Sequence, residues 1–164
     1  MTIKLMASGL IVAVGWFAGG AYADIKKQGY LELCGVIRLL ETLKSGILYS
    51  RAELYGMFFD FSDKTLSENG FLEELNRNPS SHAGEAFKRA AERLSIDQKI
   101  KDVLTAFGDT LGLLDRDTQV ERLESCVSFL ESEKTSLKET LESKLKSYRY
   151  LGALGGSLAA IILF

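Results

Sequence analysis

A histidine-based active site needs a partner for its imidazole, and this chain has one histidine, His82, set between Ser81 and Ala83. Any Ser/His or Cys/His nucleophilic pair would have to be built on that residue. Its position, after Pro79 and before an alanine-rich apolar run, reads as the start of a helix rather than as a general base. Cys34 and Cys126 are the only thiols. They lack the close Cys/His spacing of a zinc site and are too few for a disulfide framework, so they read as buried or idle thiols, packing as small hydrophobes. Neither GxGxxG nor the Walker pattern occurs, so ATP binding is not indicated. Carboxylates are plentiful, but Glu121, Glu124, Glu131, Glu133 and Glu139 alternate with Lys and Arg, as on a solvated, ion-paired helix face. The expectation is a protein that is not an enzyme and carries no cofactor or metal.

The elements around these residues set the class. The chain has 164 residues, 46% apolar and 26% charged, enough for one core. A net charge of −2 leaves no basic footprint for nucleic acid. Apolar residues recur at three- and four-residue steps with no sustained alternation, which makes the fold class all-α, a small helical bundle. Leu31, Leu33, Val36, Ile37, Leu40, Leu43, Ile47 and Leu48 mark a first helix face. Leu54 to Phe61 is a dense apolar patch expected to be buried. Thr65 and Glu68 form a capping-box pattern opening a helix that runs through Gly70 to Leu75, and Ser95 and Gln98 form a second one. Pro79 marks a loop between helical pairs. Asp115 or Asp117 is the expected N-cap of the last helix, from about 117 to 148, whose apolar seam is interrupted at Lys134.

Both ends are apolar. Leu5 to Ala23 carries no formal charge, and at helical rise it covers roughly 28 Å, close to a bilayer's hydrocarbon thickness. Ala21, Tyr22 and Ala23 before Asp24 also fit a signal-peptide cleavage site. The second charge-free stretch, Tyr150 to Phe164, favours anchors at both ends, although it covers only about 22 Å. The expected organisation is a transmembrane segment over 1–24, a helical domain over 25–149 and an apolar membrane segment over 150–164. Lys26, Lys27, Lys144, Lys146 and Arg149 flank the middle, which by the positive-inside rule faces the cytoplasm. Gly15 with Gly19, and Gly152 with Gly156, are small-xxx-small pairs. They form either packing faces for membrane helices or simply reflect the glycine usage of such helices.

FGDTLGLLDRDTQ at Phe107–Gln119 and YRYLGALGGSLAAIILF at Tyr148–Phe164, with an LExL-like stretch at Leu40–Leu43, resemble the stage III sporulation protein AB family over nearly the whole chain. The LG-x-x-D-x-x-x-Q signature falls at Leu111–Gln119. The resemblance implies a part in the channel complex between mother cell and forespore, in the mother-cell membrane around the forespore. It further implies a domain similar to the cytoplasmic domains of the type II secretion platform protein, beside a secretion-type ATPase and other membrane subunits. The function so implied is a platform or adaptor between motor and channel; the alternative is a membrane-tethered regulatory or sensing domain outside any channel. Within the signature, Gly108, Asp115, Arg116 and Asp117 form either a partner-docking corner or a loop that caps a helix.

Overall fold

The computed structural model describes the backbone of residues 2–49, 54–77 and 82–163, and the side chains of residues 25–49, 54–77, 82–141 and 143. Among these the chain is all-α, without strands. The helices are α1 (Thr2–Tyr49), α2 (Leu54–Asp60), α3 (Lys64–Glu68), α4 (Phe71–Asn76), α5 (Ala83–Glu92), α6 (Gln98–Thr110) and α7 (Arg116–Leu163). The chain divides into two compact units, one of residues 1–27 and 137–164, the other of residues 28–136.

In the second unit the core follows the helical period. Leu33, Val36, Ile37, Leu40 and Leu43 of α1 are buried, and so are Leu123, Cys126 and Leu130 of α7, at steps of three and four. Between them Phe71, Phe87 and Phe107 join α4, α5 and α6. Phe87 meets Phe71 and Phe107 edge-on, at centroid distances of 6.1 and 5.4 Å, the arrangement that ring quadrupoles favour. Lys44 pairs with Glu124 at 2.6 Å, linking α1 to α7.

Four local expectations need correction. The cap of α3 is Asp63, not Thr65: its Oδ1 accepts from the Leu66 amide at 3.0 Å, and its other oxygen pairs with Arg38 of α1. A carboxylate that serves both a helix start and a guanidinium outcompetes a hydroxyl. The Thr65 helix also does not continue to Leu75. Gly70 has φ of 79°, and this left-handed residue separates α3 from α4. At α6 the N-cap position belongs to Asp97, and the Ser95 amide is bound to Glu32 instead. In the patch from Leu54 to Phe61, Met57 and Phe58 are buried but Phe59 is 79% exposed, because a seven-residue helix has only one inward face.

α1 runs without a break from the N-terminal stretch into the bundle, and the last helix, expected from about 117 to 148, runs from Arg116 on to Leu163. Among the described residues no helix is long and apolar enough to cross a membrane. The side chains of the two end segments, and with them the packing of Gly15, Gly19, Gly152 and Gly156, lie outside those residues, as does the Pro79 loop.

Candidate docking surface

The signature residues lie where α6 gives way to α7. Gly108 is not at the turn; it sits inside α6, buried against Gly84 of α5. The turn is made by Gly112, with φ of 80°. Asp115 then caps α7: its Oδ2 accepts from the Thr118 amide at 3.1 Å and its carbonyl from the Gln119 amide at 2.9 Å. Hydrogen bonds from Thr118, through its side chain and then its amide, hold the Asp115 carboxyl below its ordinary range. Asp117 is exposed in the first turn of α7, where the helix dipole favours its charge. Arg116 reaches back to α1. Its Nε donates to the Ile47 carbonyl at 3.0 Å and its Nη2 to the Leu48 carbonyl. The last carbonyls of a helix lack intrahelical donors, so Arg116 closes the end of α1. At the corner Asp115 thus caps α7, Arg116 ties it to α1, and Asp117 faces solvent.

Sequence reasoning missed three buried carboxylates: Glu32, Asp63 and Glu74. The signal for the first two was faint, a charge within an apolar run and an Asp three residues before Leu66. Glu74 of α4 receives Arg77 at 3.4 Å, Arg89 at 3.4 Å and Arg93 at 3.1 Å. Burial pushes its carboxyl up, but the Arg93 hydrogen bond and the charges of Arg77 and Arg93 outweigh that, so it titrates below the ordinary range. A carboxyl depressed in the fold binds its proton more readily in the unfolded chain. Its stabilising contribution is therefore full above the ordinary glutamate value, and is lost as pH falls through the folded value. In full-length protein, the circular-dichroism melting midpoint should fall steeply below about pH 4. Glu74→Gln should lower the midpoint at neutral pH and flatten that acid limb; parallel profiles would mean other carboxylates carry it.

Elsewhere the polar groups join helices in the same way. Lys88 of α5 bridges Glu85 at 2.6 Å and Asp109 of α6 at 2.8 Å. The hydrogen bond to Asp109, then that to Glu85, holds its ammonium above the ordinary lysine value. His82 takes the N-cap position of α5. Burial pushes the Cys126 thiol up to about 11, the direction opposite to that of a nucleophilic thiolate. Among the described residues no group of three or more His, Cys, Asp or Glu side chains could hold a metal ion.

The fold and its corner define an all-α bundle built between two long helices, with its ionic groups used to fasten helix to helix. The chain belongs to the stage III sporulation protein AB family, whose family model matches residues 4–164. It is 23% identical over 170 residues to the stage III sporulation protein AB of Bacillus subtilis (strain 168), a match covering 98% of this chain and 99% of that protein. A solved structure of stage III sporulation protein AB is similar with a TM-score of 0.53 at 20% identity, over 70% of this chain and 94% of that one. At that identity the likeness speaks for the fold alone. Family membership supports a role in sporulation.

Proposed function

We propose that this chain is a non-catalytic, membrane-anchored platform subunit of the channel complex between mother cell and forespore, and an adaptor to a secretion-type ATPase. The observation that carries the reading is the pair of 48-residue helices, α1 and α7, each continuous from an apolar end segment into the bundle. A helix without a break transmits position and load, which suits a part that holds a motor against a membrane. The mother-cell membrane around the forespore is the proposed location, with the bundle on the cytoplasmic side. A helical domain similar to those of the type II secretion platform protein belongs to the same proposal.

The test combines topology with assembly. Cys34 and Cys126 are replaced by Ala, single cysteines are placed at the exposed Glu41 and Glu121, and sporulating cells are treated with a membrane-impermeant thiol reagent. Protection until the cells are opened, together with copurification of a motor ATPase and other membrane subunits, is the expected result. Labelling in intact cells, or an isolated chain that supports sporulation without those partners, would instead indicate an exported or regulatory domain.

A further inference from the structure

An open groove of about 320 Å³ runs between α6 and α7. Its floor is the buried pair Phe107 and Cys126, and its walls are Val103, Ala106 and Phe129, which remain partly open to solvent. The lining extends from Val103 to Thr110 on one helix and from Arg122 to Phe129 on the other, eight residues on each, a rise of roughly 10 Å. Two helical turns is the length over which an amphipathic helix presents side chains at i, i+3 or i+4, and i+7.

Charge at the mouth narrows the occupant. At one end Lys99 lies 5.1 Å from the Phe129 ring centroid and is paired with Glu133 at 2.6 Å. At the other end Arg122 is exposed and, among the described residues, makes no hydrogen bond or ion pair. Lys44, Lys88 and Lys134, on α1, α5 and α7, each have a carboxylate. What the groove lacks is an apolar filling and one negative charge beside Arg122. We propose that the α6–α7 groove docks an acidic amphipathic helix of another protein of the complex, its apolar side chains filling the groove and a carboxylate pairing with Arg122. This rests on the platform reading and assigns it a contact surface.

A photo-reactive benzoylphenylalanine in place of Ala106, in the full-length chain in sporulating cells, tests it, with the adduct sequenced by mass spectrometry. The expected adduct is a peptide of a different protein with apolar residues at helical spacing and a carboxylate among them. Its yield should fall roughly tenfold or more with Arg122→Glu, since like charges then face one another, and persist with Arg122→Lys. Arg122 has no partner within the described fold, so the thermal melt of the Glu variant should match that of the parent. An adduct to a second copy of this chain, an adduct to lipid, no adduct, or one indifferent to Arg122→Glu would each overturn the proposal. A wild-type chain that still copurifies with the motor while giving no groove adduct would remove this surface and leave the platform reading standing.

Discussion

Gly84→Ala is expected to destabilise the bundle by roughly 2 kcal/mol, as overpacking a tight contact typically does. A Cβ at that position would overlap the Gly108 carbonyl oxygen, lie 3.1 Å from its carbonyl carbon and come within 3.4 Å of the Leu111 carbonyl oxygen. All three are backbone atoms, so no side-chain rotation can relieve the clash, and α5 and α6 must move apart. That movement would loosen the Phe87–Phe107 contact and the buried Leu104. The better helix propensity of Ala recovers about 0.5–1 kcal/mol, too little to reverse the sign. Gly108→Ala is the informative companion. Its Cβ would first meet Lys88 Cγ at 2.6 Å, a flexible stem, and only then the Gly84 carbonyl oxygen at 3.1 Å. Thermal melting of the full chain in detergent should therefore rank wild type above Gly108→Ala and Gly108→Ala above Gly84→Ala. Equal midpoints for the two variants would show that the α5–α6 crossing is not tight.

The ranking also shows where sequence reading reached and where it stopped. The apolar faces of α1 and α7 were legible because each spans many turns, so their period stands out above composition. The short helices were not. In α2, α3 and α4 one turn holds too few residues to distinguish Phe58, which is buried, from Phe59, which is not. The two capping-box patterns misled for a single reason: a Ser or Thr three residues before Glu or Gln fits many helix starts, and the choice was made by distant groups. Asp63 is fixed by Arg38 and the Ser95 amide by Glu32. The same holds at the corner. Asp115 could be read as a cap from its own neighbours, whereas the acceptors of Arg116 are carbonyls nearly seventy residues earlier. Arg122 was hidden among the alternating charges of α7, and only the packing of α6 alongside distinguishes it from a solvated arginine.

Glu32 is the case in which a distant contact should cost most. The residue is 1% exposed on α1. Its Oε2 accepts from the Ser95 amide at 2.5 Å and its Oε1 from Gln28 Nε2 at 3.2 Å. Gly29, one turn earlier on α1, is what lets the loop come so near, because a Cβ there would stand 2.5 Å from the Ser95 carbonyl oxygen. Together they clamp the connection between α5 and α6 onto α1, and with it one end of the α6 wall of the groove. Glu32→Ala removes the acceptor and leaves the amide with none, a loss of about 1–3 kcal/mol. Relief from desolvating the carboxylate acts in the other direction, but a charge-assisted bond of this kind is among the stronger ones. Glu32→Gln keeps an oxygen of similar reach without the charge, so its melting midpoint should fall between those of the parent and the Ala variant. Hydrogen exchange at the Ser95 amide separates a lost bond from a general loosening. Exchange accelerated at Ser95 in the Ala variant, well beyond that of the core amides of α1, places the effect at the clamp, whereas a uniform rise would mean that Glu32 acts through overall stability. An unchanged rate and midpoint would mean that water replaces the carboxylate, leaving Gly29 alone to define how closely the loop approaches α1.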